Sequence, residues 1–213
     1  MSIKIAVLIS GHGRGTNMQS IIDACKEGRI DGEVAIVVGV SEDAPAMSRA
    51  NEAGVETVVV DPKDFADSED YDDALVETLR SWEVDLICLA GYMRILGQPI
   101  IDAYRNRIMN VHPALIPMFA GKGMFGSHVH EAAIKRGVKL SGCTVHFVDE
   151  DYDSGPIILQ TIVPVLDNDT PETLAARILP EEHKTYAKAI QLFAQGQLEV
   201  VDRRVRIKKP VSS

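Results

Sequence analysis

The segment Asn110-Val-His-Pro-Ala-Leu-Ile-Pro117 holds an amide, an imidazole and two prolines within one short turn. Asn110 and His112 are two residues apart, so in a strand their side chains share one face. An asparagine amide donates a hydrogen bond but cannot take a proton, whereas a histidine donates in either charge state and changes state near neutral pH. Together they form a donor pair suited to an oxygen on which negative charge develops, and Pro113 and Pro117 stiffen the chain that leaves them. Such a pair calls for an acid to tune the imidazole. The stretch DEDYDSGP supplies Asp149, Glu150, Asp151 and Asp153, and spacing alone does not rank them.

A second stretch, SGHGRGTN from Ser10 to Asn17, follows an apolar run and opens a helical pattern. Glycines let the backbone turn tightly and aim N–H groups outward, and a helix start adds positive potential, which together make a phosphate cradle. Thr16 or Asn17 is placed to cap the helix, and Arg14 adds charge nearby. The glycine spacing departs from the dinucleotide fingerprint, Glu42 is a poor match for its ribose-binding carboxylate, and no lysine precedes Thr16 as a Walker motif requires. A simple phosphate therefore fits better than a nucleotide cofactor. His128 and His130 are two apart in a helical stretch and do not share a face, no compact metal-ligand spacing occurs, and no metal is expected. Ser10 does not sit in a nucleophile elbow.

These groups need elements to hold them. Continuous apolar runs at 3–10, 33–40, 55–61 and 84–91 read as buried strands, alternating with helical patterns at 16–28, 42–54 and 70–82. This β–α alternation predicts an α/β fold with a mostly parallel twisted sheet of about seven strands, helices on both faces and a Rossmann-like N-terminal half. Further on, 98–106 is helical, 107–113 is a fifth strand ending at His112, and 118–128 is a glycine-broken loop. A helix at 128–137, strands around Val145 and Phe147 and over 156–166, and a long helix over 170–196 follow, with Pro180 as a break or kink. One domain over 1–203 is expected, its halves at 1–100 and 101–203, with a C-terminal tail at 204–213; the final stretch EVVDRRVRIKKPVSS is partly strand-like and ends in a basic, solvated tip.

The chain has 213 residues and a formal net charge of −9, a sign that disfavours nucleic acid and anionic membrane as partners. No apolar run is long enough to span a bilayer, and the N-terminus lacks a cleavage signature. Cys25, Cys88 and Cys143 show no paired spacing, which suits buried thiols in a reducing cytoplasm.

The pieces VLISGHGRGTN, LAGYMRIL, NVHPALIP, SGCTVHFVDEDYDSGPIILQ and EEHKTYAKAI occur in order along nearly the whole chain. With them the sequence resembles the phosphoribosylglycinamide formyltransferases, folate-dependent enzymes of purine synthesis. The resemblance implies the formyltransferase fold, with an antiparallel strand in the later half of the sheet. It implies formyl transfer from 10-formyltetrahydrofolate, as a cosubstrate, to the amine of glycinamide ribonucleotide, by a monomer or homodimer in the cytoplasm. Asn110, His112 and Asp153 would be the catalytic trio, with His146 supporting their geometry. The ribonucleotide phosphate would lie on Gly15, Thr16 and Asn17, with Arg107 and Glu182 holding the substrate. The folate would lie against Met93, Arg94, Ile95 and Leu96 and against the loop Asp149, Glu150, Asp151, Tyr152 and Asp153. His112 would donate as an imidazolium.

Three departures from the family pattern stand out: a longer glycine turn, no arginine in DFADSEDYD, and FAGKGMFG with Lys122 where shorter members have a Pro-Gly form. Rival readings are a 10-formyltetrahydrofolate hydrolase, a methionyl-tRNA formyltransferase and a non-catalytic phosphate sensor. The first two are expected to carry an extra domain that this length does not accommodate. The sensor gives no reason for Asn110, His112 and Asp153 to converge.

Overall fold

The computed structural model describes residues 2–11 and 13–208. Its described residues form two compact units, Met1–Asn110 and Val111–Ser213.

The first unit runs β1 (Ile3–Ile9), α1 (Thr16–Lys26), β2 (Gly32–Gly39), α2 (Pro45–Glu52), β3 (Thr57–Val59), α3 (Ser68–Ser81), β4 (Leu86–Leu89), α4 (Gln98–Ala103) and β5 (Ile108–His112). Its strands lie in the order β3-β2-β1-β4-β5 and every pair among them is parallel. That is the Rossmann-like order, and it matches the sequence reading. Parallel strands covered on both faces need apolar side chains in succession: Ile5 to Ile9 and Leu86 to Leu89 are all buried. Helix α3 shows how local chemistry sets an element's start. Asp67 caps it, accepting from the amides of Glu69 at 2.9 Å and Asp70 at 3.0 Å, so the helix begins before the Asp70 expected from sequence. Tyr71, Leu75, Val76 and Leu79 then recur at helical spacing on its buried face.

The second unit takes up the last two residues of β5 and continues through α5 (Ser127–Arg136), β6 (Leu140–Phe147), β7 (Ile157–Pro164), α6 (Pro171–Ala194), β8 (Leu198–Val201) and β9 (Arg204–Ile207). The order β6-β7-β9-β8 combines an antiparallel β6/β7 pair, a parallel β7/β9 contact and an antiparallel β8/β9 hairpin. The described residues thus contain nine strands rather than about seven. The difference includes β9, which occupies residues assigned from sequence to the C-terminal tail. Arg204 pairs with Val201 and Ile157, so alternation in RVRI marks a strand edge there. Residues 209–213, the rest of that tail, lie outside the described residues.

Helix α6 passes Pro180 without ending. Pro180 and Ala176, whose carbonyl loses its usual donor, both lie on the exposed side, where a missing helix bond costs least. Its start is fixed by a reciprocal cap between Thr170 and Thr173, and Leu174, Ile178, Tyr186 and Ile190 form its inner stripe.

Candidate active site

In the first unit, β1 delivers the chain to the glycine turn. The helix cap there is Gly15, not Thr16 or Asn17: Gly15 adopts φ 71°, Thr16 is already helical, and no side chain caps α1. A side chain at Gly15 would be strained by that φ, and its Cβ would come within 2.9 Å of the Ala46 Cβ. The turn thus delivers backbone N–H groups at a helix start, the arrangement that attracts an anion. His12, part of this turn, lies outside the described residues. The segment Met93–Leu96 is pinned at both ends. The Met93 amide donates to Ser10 Oγ at 2.8 Å and the Gly97 amide to Asp72 Oδ2 at 2.7 Å. Met93 and Ile95 are exposed, Leu96 is buried in the core, and Arg94 lies 5.0 Å over the Tyr71 ring. Arg107, in the turn between α4 and β5, folds back on the end of α4, donating to the Ala103 carbonyl at 2.6 Å and lying over Tyr104.

In the second unit, His112, His146 and Asp153 come together. His112 ends β5 and is 4% exposed, and its Nδ1 lies 3.5 Å from Asp153 Oδ2. Its Nε2 lies 2.7 Å from the Phe119 carbonyl oxygen. A carbonyl only accepts, so Nε2 carries the proton and donates. His146, on β6, donates from Nδ1 to the Phe147 carbonyl at 2.8 Å, and its Nε2 stands 3.7 Å from Asp153 Oδ1. The Gly121 amide donates to Asp153 Oδ2 at 3.0 Å. The two imidazole–carboxylate separations are longer than hydrogen bonds and act electrostatically. Asn110 is half-buried two residues before His112 on β5, the register that puts the two on one strand face.

Burial pushes the Asp153 carboxyl up, but the imidazole of His146, the charge of His112 and the Gly121 amide outweigh it, leaving its pKa below the usual carboxylate value. For His112 burial dominates in the other direction. It lowers the pKa, Asp153 and the Phe119 carbonyl raise it, His146 lowers it again, and the net shift is downward. The two shifts run toward an ionised Asp153 and a neutral His112. The imidazolium expected from the family resemblance is thereby disfavoured before reaction, because burial outweighs the neighbouring carboxylate.

The support for this cluster runs through one hydroxyl that the sequence reading passed over. Thr144, fully buried on β6, donates to the Ala114 carbonyl at 2.6 Å and accepts from the Ile116 amide at 3.1 Å and from Gln160 Nε2 at 3.0 Å. Gln160 also donates to the Ile116 carbonyl at 3.0 Å. The turn after His112 is thus tied to β6 and β7. The acidic loop holds itself. Asp149 accepts from the Ser154 hydroxyl and, at 3.3 Å, from the Asp151 amide, while Glu150, Asp151 and Tyr152 are exposed. Asp153 sits at φ 51°, a left-handed conformation that aspartate tolerates better than most residues. Gly155 returns so close to Phe147 that any Cβ would collide with the Phe147 carbonyl. Glu182 is buried on α6. Among the described residues, no group of three or more His, Cys, Asp or Glu is arranged to hold a metal ion, and no helix is long and apolar enough to cross a membrane.

The family model described as formyl transferase matches residues 3–190. The chain belongs to the formyl transferase family, among the phosphoribosylglycinamide formyltransferases. Within it, the chain is 41% identical over 199 residues to phosphoribosylglycinamide formyltransferase of Haemophilus influenzae, spanning 93% of this chain and 91% of that protein. It is 39% identical over 198 residues to the trifunctional purine biosynthetic protein adenosine-3 of Gallus gallus, spanning 93% of this chain but only 19% of that protein's length. Among solved structures, glycinamide ribonucleotide transformylase 1 from Symbiobacterium toebii superposes with a TM-score of 0.91 at 50% identity, covering 98% of this chain and 95% of that one. The formyl transferase sheet, mostly parallel with flanking helices, is the fold described above.

The sequence reading of this formyl transferase named Asn110, His112 and Asp153 as the trio with His146 in support; the structure places His112 and His146 against Asp153, and Asn110 two residues before His112 on β5. The reading missed the groups that meet them, the Phe119 carbonyl and the Gly121 amide, and it missed Thr144, which ties down the turn after His112. Main-chain groups leave no trace in residue type. The glycines of FAGKGMFG were the available signal for Gly121.

Proposed function

We propose that the enzyme transfers the formyl group of 10-formyltetrahydrofolate to the amine of glycinamide ribonucleotide, a step of purine biosynthesis, with Asn110, His112 and Asp153 as its catalytic groups. The observation that carries the reading is His112 itself: buried, it presents Nε2–H to an oxygen acceptor at 2.7 Å while the Asp153 carboxylate stands 3.5 Å from the opposite ring nitrogen. An oxygen held where the Phe119 carbonyl now sits meets a fixed donor in a site with little water, where such a donor is worth most.

In the reaction, the amine nitrogen attacks the formyl carbon and the carbonyl electrons move onto its oxygen. The oxyanion takes the place of the Phe119 carbonyl on His112 Nε2, and the Asn110 amide donates alongside. The arriving negative charge raises the basicity of the ring, so Nδ1 takes up, through water ordered by Asp153, the proton that the attacking nitrogen loses, and the imidazolium forms. The same proton then passes back through that water to the folate N10, which leaves the ring neutral again. Collapse of the oxyanion breaks the carbon–N10 bond. The Gly15-Thr16-Asn17 turn takes the phosphate, with Arg107 and Glu182 as further substrate groups. The folate is assigned to the exposed parts of the Asp149–Asp153 loop and of Met93–Leu96. Buried Leu96 supports that segment rather than meeting the ligand.

The test follows tetrahydrofolate formation by absorbance, with each substrate omitted in turn. Product only when both are present is expected. Formate release without ribonucleotide, at the same rate, would make this a hydrolase instead.

A further inference from the structure

The Asp153 carboxylate is held by more than its own contacts. The residue sits at φ 51°, a left-handed conformation that still costs a non-glycine residue and persists where its neighbours hold it. The next residue supplies that hold. The Ser154 hydroxyl donates to Asp149 Oδ1, and the Ser154 carbonyl accepts from the Arg203 guanidinium. Another nitrogen of the same guanidinium stands 3.9 Å from Asp149 Oδ2. Arg203, Ser154 and Asp149 thus close a ring of contacts around the peptide that follows Asp153, and all three belong to the second unit.

Arg203 reaches this loop from far along the chain. It is the second residue of the two-residue turn that joins β8 to β9, where Val201 pairs with Arg204. Among the described residues the ladder between β9 and β7 is one pair, Arg204 with Ile157, so the Arg203 contacts give the hairpin a second attachment. A guanidinium carries its N–H groups in a fixed fork and can meet a carbonyl and a carboxylate together, which the single ammonium of a lysine does with less fixed geometry. The Gly121 amide steadies the Asp153 carboxylate itself, whereas Arg203 and Asp149 fix the backbone behind it.

We infer that Arg203 is a positioning residue, which locks the acidic loop so that the Asp153 carboxylate stays against His112 and His146. The inference rests on the proposed role of Asp153. Without the guanidinium the Ser154 peptide is held on one side only, and Asp153 relaxes toward ordinary φ values. Its carboxylate then leaves His112 Nδ1, now at 3.5 Å, and His146 Nε2, now at 3.7 Å. Both separations already exceed a hydrogen bond, so a small further shift weakens the electrostatic hold on the rings. The Gly121 amide remains, which makes the loss partial.

The experiment compares wild type, Arg203→Ala and Arg203→Lys. Lys139→Ala is the control, since Lys139 forms an exposed ion pair with Asp167 that shares no residue with these contacts. Turnover in Arg203→Ala should fall about fivefold with both Michaelis constants within about twofold of wild type. Proton NMR should show the His112 pKa lowered further, because the carboxylate that raises it has moved off. Arg203→Lys should keep part of the turnover. Guanidinium added well below denaturing concentration should restore part of it to Arg203→Ala and leave Lys139→Ala unchanged. Thermal melting checks folding, and should the alanine variant melt early, Arg203→Lys carries the same test. Unaltered turnover together with an unaltered His112 titration overturns the inference. So do Michaelis constants that rise while turnover holds, since Arg203 would then act in binding. Asp153→Asn with turnover near wild type would instead refute the proposed catalytic groups, whatever Arg203 does, so the two failures are distinguishable.

Discussion

The glycine turn at Gly15 and the cluster at His112 both lie just past the C-terminal end of a strand or at it, yet they are built by opposite means. In the proposed reading the working groups at Gly15 are main-chain amides, at a turn whose φ and close approach to Ala46 require that a side chain be absent. Those at His112 are buried side chains, and the backbone around them holds those side chains in place. A backbone cradle binds a charge of fixed sign and does no proton chemistry. A pair such as His112 and Asp153 can change protonation during a reaction. The contrast teaches where each kind of substitution should register: binding for the first region, turnover for the second.

The largest expected effect comes from removing the donor. His112→Ala should lower turnover about a hundredfold or more, the usual cost of losing one oxyanion donor, with ribonucleotide affinity largely kept. Asp153→Asn should do nearly as much. Single-turnover kinetics paired with calorimetry for the ribonucleotide separates the two effects. Turnover within threefold of wild type in His112→Ala would erase the distinction between the regions.

Gly15→Ala tests the other side. The left-handed φ of 71° costs an alanine about 1 kcal/mol, and the 2.9 Å approach to Ala46 forces the turn or α2 to shift. The ribonucleotide Michaelis constant should rise about tenfold with turnover changed far less, and the melting temperature should drop. An equal loss in turnover would mean that the turn does more than bind.

Thr144→Val sharpens the comparison from within the second unit. It is nearly isosteric but leaves the Ala114 carbonyl and the Ile116 amide without their partner, a cost of about 1–3 kcal/mol in stability. Turnover should fall several-fold because the chain leaving His112 loses its tie to β6. Unfolding in urea, read with steady-state kinetics, checks both parts.

What was legible beforehand follows the same division. Asn110 and His112 could be proposed because their chemistry is written in residue type, whereas Asp153 was separated from Asp149, Glu150 and Asp151 only by the family resemblance; the parallel pairing of β1 to β5 was legible because buried parallel strands read as unbroken apolar runs. Gly15 as the cap was not legible, since Thr16 is the better cap by composition and only the backbone angle decides between them. The direction in which the His112 pKa moves was not legible, because the neighbouring acid is visible in the sequence and the depth of burial is not. The stretch that forms β8 and β9 read as partly strand-like, but its place in the sheet was not legible until the pairing of Arg204 with Val201 and Ile157 is seen.

The smallest effect is on stability against pH, and it belongs to the second unit. Burial lowers the pKa of His112, His130 and His183 from the ordinary 6.5. The unfolded chain therefore binds protons at a pH where the folded chain does not, and stability falls as pH drops through and below about 6.5. Asp153 enters elsewhere: with its pKa depressed in the folded state, its contribution is present above the usual carboxylate value and is lost only in more acid solution. A counter-effect operates in the same histidine window, because a chain of net charge −9 relieves its self-repulsion as it approaches its pI of about 5.1. His130 separates the two. It is buried, its Nδ1 has no hydrogen-bond partner among the described residues, and its replacement hardly alters the net charge at neutral pH. Melting temperatures of wild type and His130→Gln at pH 7.5 and 5.5 should show the wild type losing more stability on acidification. Equal losses would assign the slope to the remaining histidines or to the global charge, and would remove His130 from the pH response of this unit.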